Sequence, residues 1–311
     1  MEGLLQNIPE QIREAAKLGS IRVEKADKIL VCGMGASGIT GNILKDLLKD
    51  KLIVVNKDYD IPRYTDKKTL VFIISASGET EETISCYKEA KKKTKNIVII
   101  TSGGELGLHK NAIIIPRITP TRYALHYLFF PMLKTLERSG MIEKQDRNIR
   151  ETIQVVKGIN KKQIRKLATA LKGKVPIIAV PNKYKGVGLR WVQQFNENSK
   201  VQAITQAFPE LDHNAIEGYE KPAGKFELIV IRDKKEREKE KRRIELTEKI
   251  IAKKIDVNEV WVRGKSDLAK TFYAIYFGDY LTYYLGMIEK VNPYENRLIT
   301  FLKKQLKKHT G

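Results

Sequence analysis

Thr69-Leu70-Val71-Phe72-Ile73-Ile74 runs directly into Ser75-Ala76-Ser77-Gly78-Glu79-Thr80, so an apolar run stops abruptly at small hydroxyl residues and a glycine. The apolar run predicts a buried strand, and the segment from Glu81 through Ala90 predicts a helix after the turn. The start of a helix presents unpaired backbone N–H groups and the positive end of its dipole, which together favour phosphate. An ordinary capped strand-to-helix turn is the alternative, because Ser and Thr are common N-cap residues.

A second glycine-rich turn lies upstream, where the apolar segment Lys28–Cys32 is followed by Gly33-Met34-Gly35-Ala36-Ser37-Gly38. Closely spaced glycines allow a tight turn and close approach of a ligand to the backbone. A dinucleotide site would call for an acidic residue after the next strand, but Asn56 and Lys57 stand there. Ser37 within the turn therefore favours a small phosphorylated ligand.

Apolar runs alternate with helical segments along the whole chain, which predicts parallel sheets covered on both faces. The first half has five such runs: Lys28–Cys32, Leu52–Val55, Leu70–Ile74, Ile97–Ile100 and Ile113–Ile115. The second half has four: Val175–Val180, Val201–Thr205, Phe226–Ile231 and Glu259–Val262. We predict an α/β protein with two related units, residues 1–145 and 146–311, each a parallel sheet flanked by helices in an α-β-α sandwich.

The net charge of +21 raises the question of a nucleic-acid partner, since basic surfaces attract phosphate. The basic residues are mixed with 37 acids, and neither zinc-finger spacing nor an RNA-binding aromatic signature is present. We therefore expect no nucleic-acid partner and interpret the charge as a Lys/Glu-rich surface typical of heat-adapted proteins. The charged run from Asp233 through Arg243 is interpreted as a solvated loop and helix start.

The cysteines and the apolar runs bear on location. The only two cysteines, Cys32 and Cys86, fall in a predicted strand and a predicted helix, which favours buried thiols in a reducing compartment. No apolar run reaches the length that spans a membrane. We expect a cytoplasmic protein with no membrane partner, and we interpret the aromatic stretch from Asp267 through Gly286 as core or subunit interface.

Three further residues are candidates for chemistry. Arg122 follows Pro120 at a predicted helix start, where a cation opposes the helix dipole, so it serves either a salt bridge or an oxyanion. Glu197 lies at the end of a helix that begins near Gly186 or Gly188, and local sequence alone favours a surface glutamate over a general base. His213, in an acidic turn, has a side chain that titrates near neutral pH, although a single histidine is often structural.

Gly33-x-Gly35-x-Ser37-Gly38 followed by Ser75-x-Ser77-Gly78-x-Thr80 resembles the sugar isomerase (SIS) domain. Over nearly its whole length the chain is similar to the archaeal bifunctional phosphoglucose/phosphomannose isomerases. This resemblance implies interconversion of glucose 6-phosphate, and mannose 6-phosphate, with fructose 6-phosphate through a cis-enediol, without a metal or redox cofactor. It assigns the substrate phosphate to Gly35, Ser37, Ser75, Ser77 and Thr80.

The resemblance also implies the catalytic roles. Glu197 matches the glutamate that moves a proton between C1 and C2, and Arg122 matches the arginine that stabilises the enediolate. His213 matches the ring-opening histidine, which in the family comes from the partner subunit, so a homodimer is expected. Lys303 matches the lysine that contacts the ring oxygen, with Lys304 as the neighbouring alternative.

The chain departs from the family pattern in one segment and leaves alternatives open. Asn292-Pro293-Tyr294-Glu295-Asn296 stands where relatives commonly carry Asp-Pro-Thr-Pro-Val, a region associated with room for the mannose epimer. Another SIS isomerase, acting on arabinose 5-phosphate or an amino sugar, is one alternative. A sugar-phosphate-binding regulator is a second, but it calls for an appended DNA-binding module, and we expect too little room for one before Lys28.

Overall fold

Five parallel strands form the first sheet of this computed structural model, which describes residues 2–19 and 21–309. They are β1 (Lys28–Cys32), β2 (Leu52–Asn56), β3 (Thr69–Ser75), β4 (Ile97–Thr101) and β5 (Ala112–Ile114). Their order in the sheet is β2-β1-β3-β4-β5. Strands β3 and β4 are buried along their whole length, which explains why their sequences are continuously apolar rather than alternating.

Four parallel strands form the second sheet, in the order β7-β6-β8-β9. They are β6 (Val175–Pro181), β7 (Ile204–Phe208), β8 (Phe226–Arg232) and β9 (Asp256–Trp261). The first strand of each half lies between the second and the third, so the two sheets repeat one topology. The predicted α/β architecture with two related sheets is confirmed.

Helices cover the faces of the sheets and connect their strands. They are α1 (Glu2–Gln6), α2 (Ile8–Leu18), α3 (Gly35–Leu47), α4 (Glu81–Lys93), α5 (Gly104–Gly107), α6 (Leu125–Arg138), α7 (Asp146–Lys157), α8 (Lys161–Ala170), α9 (Lys185–Gln194), α10 (Glu238–Ile251), α11 (Asp267–Ile288) and α12 (Arg297–His309). Two helices, α7 and α8, follow residue 145 and lead into the second half. The domain boundary after residue 145 stays a prediction.

A single large apolar core joins residues of both halves. Helix α11 lies at its centre, packed against α7, α8 and α9, and the predicted aromatic stretch is buried there. Helices α3 and α9, which follow the first strand of each sheet, pack against one another. The Asp46 carboxylate of α3 accepts a 2.6 Å hydrogen bond from the Gly186 N–H in the first turn of α9.

One strand prediction is wrong in its position. The strand predicted over Val201–Thr205 is found at Ile204–Phe208. Lys200 has a left-handed backbone (φ 57°) that ends the preceding helical turn, and the Val201 N–H bonds back to the Phe195 carbonyl. Val201 and Ala203 pack against the core from this connection, so their apolar character reflects loop packing rather than a strand.

Within the residues that the structure describes, no helix combines the length and the apolar character needed to cross a membrane.

Candidate functional site

The two glycine- and serine-rich turns meet at one edge of the first sheet. Strands β1 and β3 are neighbours, and the chain leaves them in opposite directions, to β2 on one side and β4 on the other. The carboxyl ends of two such strands border a crevice, where ligands bind in open parallel sheets. Ser37 lies in the first turn of α3 beyond β1, and Ser75 ends β3.

Hydrogen bonds link the serine side chains across this crevice. The Ala76 N–H donates to Ser37 Oγ (3.3 Å), which joins the turn after β3 to the start of α3. Ser75 Oγ lies 3.0 Å from Thr80 Oγ1 and accepts from the Gly78 N–H at 3.1 Å. We call this group the hydroxyl cradle; its members are Gly35, Ser37, Ser75, Ser77 and Thr80. The structure brings together all five residues predicted to hold the phosphate, while their role stays a prediction.

Backbone geometry explains the glycine in the second turn. Gly78 has φ +74°, and a Cβ there would fall 1.8 Å from the Gly103 carbonyl oxygen. A side chain at residue 78 would therefore both strain the backbone and clash. Ser77, one residue earlier, is exposed, and its Oγ accepts from the Glu79 N–H at 3.2 Å.

Sequence reasoning missed a cation beside the cradle. Lys57 follows β2, and its Cε lies 3.2 Å from the place that a Cβ on Gly38 would take. Burial lowers the pKa of the Lys57 ammonium. In the sequence, Lys57 stands just after an apolar run, but only the pairing of β2 with β1 shows that it lies near the Ser37 turn.

A carboxylate and a guanidinium meet where the two halves join. Glu197 lies in a π-helical turn, Phe195–Ser199, that continues α9 as the sequence predicted. Arg122 lies in the short helical turn Thr121–Ala124 before α6, and its Nη1 is 3.2 Å from Glu197 Oε2. Arg122 is 2% exposed and Glu197 is 25% exposed, so the carboxylate is the more accessible member of the pair. Helix α3, which begins in the hydroxyl cradle, packs against both the 121–124 turn and α9.

Buried polar side chains fix Arg122. Its Nε donates to Asn198 Oδ1 at 2.8 Å, and its carbonyl accepts from Arg190 Nη2 at 2.8 Å. Arg190 forms a fully buried ion pair with Asp279 of α11 (3.1 Å). Burying an unpaired charge is costly, so each of these ions needs the other. Sequence reasoning missed this pair, although an acid inside the apolar helix α11 signals a buried cation nearby.

An open cavity of about 680 Å³ lies beside Glu197, lined among others by Lys200 and Asn296. Asn296 Nδ2 donates to Glu197 Oε2 at 2.9 Å. Lys200 Nζ donates to the carbonyl of Glu197 at 2.5 Å and also to the carbonyl of Glu295. Neither Asn296 nor Lys200 was a candidate from sequence, although Asn296 ends the segment that departs from the family pattern.

The structure does not bring the other two predicted catalytic residues to Glu197. His213 is exposed at the end of the turn Glu210–His213, beyond β7. Lys303 is exposed on α12, and neighbouring Lys304 is also exposed. In the described part of the chain, no hydrogen bond or ion pair joins either His213 or Lys303 to Glu197. Their catalytic roles stay predictions.

The carboxyl edge of the second sheet carries different side chains from that of the first sheet. Asp233 follows β8 and is 1% exposed, so the prediction that the whole 233–243 run is solvated is wrong for this residue. Its carboxylate accepts from Lys183 Nζ (2.5 Å), Lys270 Nζ (2.7 Å) and the Tyr184 hydroxyl (2.9 Å). Burial alone would raise the pKa of the Asp233 carboxyl, but the bonds from Lys183 and Lys270 hold that pKa well below its usual range.

Two family models match the chain, one for each sheet. Residues 22–133 match the SIS domain, and residues 160–306 match the bacterial phospho-glucose isomerase C-terminal SIS domain.

Curated proteins of similar length are similar to the whole chain. The bifunctional phosphoglucose/phosphomannose isomerase of Caldicellulosiruptor bescii is 35% identical, over 96% of this chain and 97% of that protein. The protein with the same name from Thermoplasma volcanium is 37% identical, over 92% of this chain and 94% of that protein. A crystal structure of a hypothetical protein from Thermus thermophilus superposes with a TM-score of 0.78 at 15% identity, covering 99% of this chain and 90% of that one. At 15% identity, this structural similarity shows only that the two proteins share a fold.

Proposed function

Because the chain belongs to the family of bifunctional phosphoglucose/phosphomannose isomerases, we propose that it interconverts glucose 6-phosphate and mannose 6-phosphate with fructose 6-phosphate. The observation that carries the proposal is the Glu197 carboxylate, held against Arg122 and open to a cavity. An aldose–ketose isomerisation needs a base that removes the proton from one carbon and returns it to the next. A carboxylate fixed in place and accessible to a small molecule suits that role.

The substrate phosphate binds in the hydroxyl cradle. Hydroxyl groups and the N–H groups at the starts of α3 and α4 offer donors to a dianion. Glu197 takes the proton from C2 of the open-chain aldose and delivers it to C1, while the proton of the O2 hydroxyl passes to O1, which gives the ketose. Arg122 stabilises the negative oxygen of the enediolate, since a buried guanidinium has little reorganisation to undergo during the reaction.

The active unit in this proposal is a homodimer. Four apolar side chains of α12 are at least half exposed and repeat at helical spacing along one face: Leu298, Phe301, Leu302 and Leu306. Exposed apolar surface of this kind marks an interaction site. A partner subunit on this side of the molecule supplies His213, which opens the sugar ring, and Lys303 contacts the ring oxygen.

The test of activity is an assay of fructose 6-phosphate formation from glucose 6-phosphate and, separately, from mannose 6-phosphate. Wild type should convert both, and Glu197→Gln should lower kcat by about 10² to 10⁴-fold, the usual contribution of a general base. Full activity in Glu197→Gln would refute the assigned base. A higher kcat/KM for arabinose 5-phosphate or an amino-sugar phosphate would replace the proposed substrate.

Mixed dimers test the shared site. If His213 serves the partner's Glu197, a hybrid of His213→Ala and Glu197→Gln subunits holds one intact site and one doubly altered site. Mixing and reassociating the two inactive variants should then restore about a quarter of wild-type activity. If each chain uses its own His213, every site in the hybrid lacks one group, and no activity should return.

A further inference from the structure

Two donors converge on one oxygen of the Glu197 carboxylate. Arg122 Nη1 lies 3.2 Å and Asn296 Nδ2 lies 2.9 Å from Oε2. Among the residues that the structure describes, none forms a hydrogen bond with Oε1. The carboxylate is therefore held on one side, and its other oxygen is the one left to react.

Asn296 stands in a segment that is anchored independently of its own side chain. Arg122 Nη2 donates to the Pro293 carbonyl, and Lys200 Nζ donates to the Glu295 carbonyl. Both anchors use backbone oxygens, so neither depends on the identity of residue 296. The Asn296 amide is thus free to serve Glu197, and it does so from a half-buried position at the end of the segment.

We propose that Asn296 is a positioning residue, which fixes the Glu197 carboxylate so that Oε1 carries the proton between C2 and C1. The inference rests on the proposed isomerase function and deepens it. The base must reach two adjacent carbons from one position: the proton leaves C2, forms a bond to Oε1, and leaves Oε1 for C1. A carboxylate that is free to rotate would lose this geometry and give the proton more time to exchange with water.

The neutrality of Asn296 suits this role. An amide donates a hydrogen bond without adding charge, so Oε1 stays available as a base. An aspartate of the same shape would set a second carboxylate against Glu197, and two like charges in contact disfavour each other's ionised form. Replacing the amide therefore changes the chemistry of Glu197 with little change in volume.

The experiment compares Asn296→Ala, Asn296→Asp and Asn296→Ser with wild type on glucose 6-phosphate in deuterated water. We measure kcat, KM and the ratio of deuterium incorporated at the product carbon to hydrogen transferred within the molecule. Asn296→Ala should lower kcat about tenfold or more, the usual effect of losing a hydrogen bond to a charged group, with KM little changed. Its exchange ratio should rise, and Asn296→Ser, which keeps a donor, should lie between Asn296→Ala and wild type.

The matched control is Asn292→Ala, which removes the 3.0 Å bond to Glu295 and the 2.9 Å bond from the Tyr294 N–H in the same segment, without touching Glu197. It should leave the exchange ratio near that of wild type. If Asn296→Ala is too unstable to assay, Asn296→Ser gives the same comparison, with a smaller loss of kcat and a smaller rise of the ratio expected.

The outcomes separate the two proposals. If wild type is active and Glu197→Gln is not, but all three Asn296 variants match Asn292→Ala in kcat and in exchange ratio, the role of Asn296 is overturned and the isomerase function stands. If wild type converts none of the hexose 6-phosphates, the proposed function itself falls. A raised exchange ratio in Asn296→Ala and Asn296→Asp, but not in Asn292→Ala, supports the positioning role.

Discussion

The carboxyl edges of the two sheets share a topology and differ in what fills them. Beyond β1 and β3 lie hydroxyl groups and helix N–H groups, with Lys57 nearby. Beyond β6 and β8 lies the buried Asp233 carboxylate, bonded to Lys183 and Lys270. The carboxyl edge of each sheet favours an anion. In the second sheet, that anion is the protein's own Asp233 carboxylate. A repeated fold therefore does not imply a repeated site.

The largest expected effect comes from placing a carboxylate at the edge of the first sheet, where the second sheet already has one. Ser77→Asp places a carboxylate in the hydroxyl cradle at an exposed position. A negative charge about 4 Å from the substrate phosphate should raise KM for glucose 6-phosphate by about 10³-fold. Steady-state kinetics at constant ionic strength measures the change.

Ser77→Asn is the matched control for that substitution, because it has the same shape and no charge. It should raise KM far less than Ser77→Asp does. Equal KM values for the two variants would mean that no anion binds next to Ser77. The edge of the first sheet would then not be the substrate site.

Removing the internal anion of the second edge should be the next largest effect. Asp233→Asn leaves Lys183 and Lys270 with no full counter-charge in a buried place, which should lower the free energy of unfolding by about 3–5 kcal/mol. Asp256→Asn is the control, since Asp256 pairs with Lys174 while 72% exposed and should cost about 1 kcal/mol or less. Urea unfolding compares the variants.

The pH dependence sharpens the prediction for Asp233. Because its folded-state pKa is held below the ordinary value of 3.8, its stabilisation is present above pH 3.8 and is lost as pH falls through the folded-state pKa. The stability difference between wild type and Asp233→Asn should therefore be largest near pH 7 and shrink in acid. A difference that does not change with pH would contradict the ion pairs.

The smallest expected effect lies where the two halves touch, between α3 and α9. Burial raises the pKa of Asp46 from 3.8 to about 6, in spite of the bond from Gly186. A raised pKa stabilises the folded state below about pH 4, and that stability is lost as pH rises through about 6. Asp46→Asn keeps an acceptor for the Gly186 N–H, so it should raise the free energy of unfolding by about 1 kcal/mol at pH 7.

Thermal unfolding at pH 4 and at pH 7 tests this. The two proteins should differ in Tm at pH 7 and converge at pH 4. Asp50→Asn, at an exposed acid later in the chain, should leave Tm nearly unchanged at both values. Lower stability of Asp46→Asn at pH 7 would show that the charged form is the stabilising one.

Most of the fold was predictable because central parallel strands are buried on both faces and so carry apolar runs. β1 was predicted with its observed ends, and β3 lay within one residue at each end. The edge strand β7 was misplaced, because its residues are half exposed and the apolar residues before it pack as a loop. Because the apolar pattern of an edge strand is weak, the position of such a strand in the sequence is easily misplaced.

The contacts within the candidate site were predictable only where its residues are neighbours in the chain. Ser75, Ser77 and Thr80 lie in one turn, and their chemistry is visible as a motif. Arg122 and Glu197 are 75 residues apart, and Glu197 and Asn296 are 99 residues apart. Residue type and family resemblance pointed to Arg122 and Glu197 separately, but only packing reveals that one pairs with the other and that Asn296 completes the group.

Calorimetric titration with an open-chain hexitol 6-phosphate, which has no carbonyl group to isomerise, tests most directly whether the first edge alone holds the substrate. We expect one hexitol 6-phosphate bound per chain in wild type and no binding to Ser77→Asp under the same conditions. Two molecules bound per wild-type chain, or one still bound to Ser77→Asp, would contradict it.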